Sequence, residues 1–165
     1  MTATDGQVVP IDMNELLRAA GGDANLAQAL ALIAQDPEGS KALRAALDQG
    51  ATFKVGGVSP DAEGETTRAP GKLEVAVRDP ANIATLAHEI FHAGVGAPQD
   101  SKREEVLADA FGDAVSRRTT GKAGDSVQAA LQQVRTAPAY IPLPESNPLL
   151  DQRMQLLGIT PPANI

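Results

Sequence analysis

Asp79-Pro80-Ala81-Asn82-Ile83-Ala84-Thr85-Leu86-Ala87-His88-Glu89-Ile90-Phe91-His92-Ala93-Gly94 is the stretch around which the rest of the chain must be arranged. Asp79-Pro80 supplies an N-cap and a first-turn proline, and Gly94 a C-terminal stop, so the pattern predicts a helix over about 80–93. Both histidines of the chain fall on it, four residues apart. Residues at that interval lie one above the other on a helical face. Two imidazoles so placed can offer ring nitrogens to a single zinc ion at about 2.0–2.1 Å. Glu89 neighbours the first of them, where a carboxylate can take a proton from a metal-activated water.

Downstream, Ser101-Lys-Arg-Glu104 has the form of a capping box and predicts a second helix reaching about Thr119, with Gly121 beyond it. In that form Glu104 bonds back to the backbone amide of Ser101 at an exposed helix start. Glu105 is one position further round, with Asp109 one turn on along the same face. Glu105 is therefore the expected third metal ligand. Asp109 is expected to accept a hydrogen bond from a ligating imidazole and so fix its tautomer. Three protein ligands leave a fourth position open, as catalytic zinc sites do.

Upstream, the hydrophobic period changes. Thr52-Phe53-Lys54-Val55 reads as a strand, and Leu73, Val75 and Val77 alternate with Lys72, Glu74 and Arg78 as another. The stretch between them, 56–71, is rich in Gly, Pro, Asp, Glu and Thr, and is expected to be a mobile loop. Further back lies an Ala-rich helical block, 12–49. Asp12 with Glu15 suggests a capping box and Gly21-Gly22 a stop; Asp23 caps a second helix with Leu26, Leu30 and Ile33 on one face. Asp36-Pro37 opens a third, with Leu43 and Leu47 inward and Gly50 as its end. Toward the C-terminus, helices are expected from Asp125 to about Thr136 and from Pro148 to Leu157. The four prolines of 137–148, around Tyr140, exclude a regular helix between them.

Length suits one domain, 1–165, with a single core. With three Phe, one Tyr and no Trp, that core must be built from Ala, Leu, Val and Ile. The expected class is α+β, mostly helical, with a small sheet. A net charge of −7 argues against nucleic acid or an anionic membrane as the main partner. Without cysteine, disulfides, thiolate metal sites and a cysteine nucleophile are all excluded. The first residues, Met1-Thr-Ala-Thr-Asp-Gly-Gln, hold neither a basic region nor an apolar run, and no segment approaches membrane-spanning length. The expectation is a cytoplasmic protein, or one exported without a cleaved signal.

His-Glu-Ile-Phe-His-Ala (88–93) followed by Glu-Glu-Val-Leu-Ala-Asp-Ala-Phe-Gly (104–112) resembles the zincin metallopeptidases of the gluzincin, or thermolysin-like, type. That resemblance implies zinc on His88, His92 and Glu105, Glu89 as general base, and Asp109 supporting an imidazole. It implies a twisted sheet whose edge strand holds an extended protein or peptide substrate, with 72–78 as the candidate strand. Gluzincins commonly steady the oxyanion with a further His or Tyr. Tyr140 is the one tyrosine here, and Arg117, Arg118 and Arg135 are the alternatives. Small bacterial zincins of this size include toxins and effectors, for which an inhibitor or immunity protein is an expected partner. Two other functions suit the same residues: a metal-stabilised interaction module without catalysis, and a zinc amidase acting on a non-protein amide.

Overall fold

The computed structural model describes residues 8–96, 102–120, 154–155 and 159. Among the described residues, five complete helices and a three-stranded sheet make an α+β fold that is mostly helical. No helix among the described residues is long and apolar enough to cross a membrane. The helices expected from Asp125 to about Thr136 and from Pro148 to Leu157, Tyr140 and Arg135 lie outside the described residues. The exceptions are Met154 and Gln155, which are helical, and Met154 and Ile159 are buried in the core.

The N-terminal block folds as expected, as α1 (Met13–Ala19), α2 (Ala24–Ala34) and α3 (Pro37–Asp48). Asp12, Asp23 and Asp36 are the three N-caps, each accepting from a backbone N–H inside the first turn. Glu15, expected in a capping box, instead bonds across to Arg44 on α3 through both carboxylate oxygens, at 2.7 and 2.6 Å. A bidentate pair joining two helices outcompetes a local bond to one amide. Leu26, Leu30, Ile33 and Leu43 are fully buried, while Leu47 packs at the margin of the core.

The sheet departs from expectation in two ways. Strands β1 (Thr52–Val55) and β3 (Lys72–Val77) form as read, but the stretch expected as a loop contains a third, β2 (Gly64–Ala69). It joins β3 antiparallel through the two-residue connection Pro70-Gly71, where Gly71 takes a left-handed φ of 71°. Proline followed by a positive-φ glycine is favoured turn chemistry. The rest of the segment is also tied down, since Arg78 donates to the carbonyls of Ser59, Pro60 and Ala62. The strand order β1-β3-β2 then puts 72–77 in the middle, parallel to β1. β3 is not the edge strand. That place, on the side toward His88, Glu89 and His92, belongs to β2.

Helix α4 (Ile83–Gly94) lies against β2 and β3 and between α3 and α5 (Lys102–Thr120). It starts later than predicted. Asn82 is the cap, its Oδ1 accepting from Thr85 N, while Asp79 accepts from Ala81 N in the turn before it. Gly94 belongs to the helix and does not stop it by a left-handed turn. A Cβ there would lie 2.2 Å from the Ala42 carbonyl oxygen, so glycine is what lets α3 approach. Gly112 plays the same part between α4 and α5, where a Cβ would stand 2.4 Å from Ala84 O. Phe91 and Phe111 pack across that contact with ring centroids 5.3 Å apart.

Candidate metal centre

The predicted helix face holds. His88 and His92 lie one turn apart on α4, with their Nε2 atoms 3.1 Å from each other. Glu105, from the first turns of α5, brings Oε1 to 2.8 Å from His92 Nε2 and Oε2 to 3.6 Å from His88 Nε2. Among the described residues, these three form a group whose ligand atoms converge closely enough to hold a metal ion. A tetrahedral site with bonds of about 2.0–2.1 Å needs donors about 3.3–3.4 Å apart. The two imidazole nitrogens, 3.1 Å apart, and Glu105 Oε1, 2.8 Å from His92 Nε2, stand somewhat closer than that.

The outward nitrogens of the rings decide what the inward ones can do. His88 Nδ1 stands 2.8 Å from Asp109 Oδ1, and His92 Nδ1 2.5 Å from Glu104 Oε2. A carboxylate can only accept, so each Nδ1 carries a proton, and a ring that is neutral then turns a lone pair inward at Nε2. Two lone pairs 3.1 Å apart repel unless a cation lies among them. The donor set thus suits a metal ion.

In metal-free protein a proton takes that part. Burial disfavours a charge on His92, but the hydrogen bonds to Glu104 and Glu105 outweigh it and raise its pKa to about 10. The bond from His92 in turn lowers the Glu105 carboxyl, against a smaller opposing effect of burial.

Glu89 is 7% exposed and shielded from water, unlike Glu105, which is open to solvent. Its Oε2 faces the group, 3.8 Å from His88 Nε2, and its Oε1 accepts from the hydroxyl of Thr66 at 2.7 Å. Burial pushes its carboxyl above the ordinary range, partly offset by His88 and by the Thr66 bond.

Of the residues singled out from sequence, His88, Glu89, His92, Glu105 and Asp109 come together. Glu104 needs correcting. It is 1% exposed and holds His92, so it is not a solvated cap. Arg118 is not an oxyanion partner, because it binds Asp36 and Glu38. Arg117 donates to Asp113. Both lie about 18–20 Å along the helix from Glu105. Two participants escaped the sequence reading, Thr66 and Arg68, both on β2. Arg68 donates to the carbonyls of His92 and Ala93, satisfying backbone groups near the end of α4, beside the candidate ligands.

No family model matches this chain, and neither does any curated protein or solved structure.

Proposed function

We propose that this chain is a zinc-dependent metallopeptidase in which Glu89 is the general base. The observation that supports this most is the geometry of the two imidazoles. Each Nδ1 is held by its own carboxylate, and both Nε2 atoms turn toward Glu105 with a buried fourth carboxylate beside them. A purely structural site has no use for that fourth group.

A donor set of two imidazole nitrogens and one carboxylate oxygen favours zinc over the hard cations, which take more oxygen ligands. When bound, zinc supplies a Lewis acid that polarises a carbonyl and acidifies water. His88, His92 and Glu105 would hold it, while Asp109 and Glu104 keep the rings oriented and their Nε2 atoms basic. Glu89 Oε2 takes a proton from the attacking water and delivers it to the nitrogen of the leaving amine, so the base returns to its starting state.

A peptide is favoured over other amides by β2. Among the described residues no strand pairs with its outer side, and it runs beside α4. An extended polypeptide can add to such an edge through main-chain hydrogen bonds. The test is incubation of zinc-loaded wild type and Glu89→Gln with peptides from a diverse proteome, followed by mapping of new N-termini by mass spectrometry. Wild type should generate them, and Glu89→Gln should do so about 10²-fold more slowly or worse while retaining zinc. Equal rates, or no new termini from zinc-loaded wild type, would refute the proposal.

A further inference from the structure

Every second residue of β2 faces α4, and each makes a different contact with it. Gly64 lies under the Glu89 side chain, where a Cβ would stand 2.9 Å from Cγ. Thr66 reaches the same residue twice, with Oγ1 at 2.7 Å from Oε1 and 3.0 Å from its backbone carbonyl. Arg68 grips the His92 and Ala93 carbonyls near the end of the helix and so fixes the strand lengthwise. A hydroxyl has one hydrogen to give, and the nearer, charged acceptor is the stronger partner.

Resting on the hydrolase proposal above, we infer that Thr66 is a positioning residue for Glu89. Its hydroxyl anchors Oε1, which leaves Oε2 as the atom that takes and returns the proton. A free carboxylate rotates broadly about its last torsion. Held at Oε1, it keeps Oε2 on the side of His88 Nε2, 3.8 Å away. The anchor survives the reaction. Once Oε2 carries the proton, Oε1 is a carbonyl oxygen and still accepts from Thr66. Gly64 makes the arrangement possible, because a side chain at that point would push Glu89 out of the hydroxyl's reach.

The test uses acetohydroxamate, which chelates zinc through two oxygens and passes its proton to a neighbouring carboxylate. Its affinity for the zinc-loaded chain therefore reports where Glu89 points without needing the natural substrate. Thr66→Val keeps the shape and loses the hydroxyl; Thr66→Ser keeps the hydroxyl and loses the methyl. Thr66→Val should bind about 10- to 100-fold more weakly at unchanged zinc content, the scale expected for losing a supporting hydrogen bond. Thr66→Ser should stay near wild type. Gly64→Ala, which removes no polar group, should also weaken binding. On a peptide that wild type cleaves, Thr66→Val should lower kcat and leave KM in place. A residue that merely packs would give the opposite order, with Ser worse than Val. That order, or wild-type binding by Thr66→Val, would overturn the inference alone, provided Glu89→Gln still abolishes the tight binding. If Glu89→Gln binds acetohydroxamate as wild type does, or zinc-loaded wild type does not bind it, the hydrolase proposal falls and takes this one with it.

Discussion

Replacing Glu104 with alanine removes a carboxylate that is 1% exposed and stands 2.5 Å from His92 Nδ1. The ring's N–H is left buried without that acceptor, which costs about 1–3 kcal/mol. The larger figure for breaking a buried ion pair, about 3–5 kcal/mol, does not apply. Glu105 Oε1, 2.8 Å from the other nitrogen, still balances the charge of His92 in metal-free protein. Zinc affinity should fall about 10- to 100-fold, because an unsupported imidazole is a weaker and less well aimed ligand. Glu104→Gln should lie between, since the amide oxygen can still accept from Nδ1–H. Titration against a competing chelator measures the affinity, and urea unfolding of the metal-free protein measures the stability. An exposed helix cap would lose a similar stability, about 0.5–2 kcal/mol, with no change in zinc binding. Affinity therefore discriminates. Wild-type zinc binding by Glu104→Ala would refute the role assigned to this residue.

Glu105→Ala removes a donor outright and should weaken zinc binding further than Glu104→Ala does, by the same chelator titration; the reverse order would exchange the two roles. Zinc affinity should rise with pH by about tenfold per unit between neutrality and the His92 pKa of about 10, because one proton must leave that ring first. A flat profile would show that His92 is already neutral. Stability of the metal-free protein should move the other way. The His92 pKa is raised, so its contribution is fully present below the unfolded value of about 6.5 and is lost as pH rises through about 10. Denaturant midpoints across that range test this, and a midpoint that climbs with pH would contradict it. Gly112→Ala sets a Cβ 2.4 Å from a backbone oxygen of α4 and should cost about 1–3 kcal/mol as the helices part, read as a lower Tm.

Much of this arrangement is legible in the sequence where local chemistry and tertiary demand agree. Asp12, Asp23 and Asp36 cap their helices because the apolar faces they introduce also pack. The pair His88 and His92 is legible for the same reason, since helical spacing alone puts two side chains on one face. β2 was missed because an edge strand whose inward positions are Gly64, Thr66 and Arg68 has no apolar alternation to show. Its one signal was Pro70-Gly71, a turn pair directly before a clear strand. The place of Glu104 is not legible in the sequence, because the cap pattern is local and the packing of α5 on α4 is not. The buried positions Leu107, Ala108, Phe111 and Val115 run along a stripe that starts at Glu104. A carboxylate on a core stripe must have a buried partner, and the histidines were the available ones.

On the function proposed above, each chain holds one zinc ion on His88, His92 and Glu105. Elemental analysis of purified protein combined with zinc X-ray absorption tests it most directly. Wild type should carry a single zinc with two imidazole nitrogens and carboxylate oxygen at about 2.0–2.2 Å, and His88→Ala/His92→Ala should carry none. Full zinc occupancy in that double variant, or a wild-type spectrum without imidazole scattering, would contradict it.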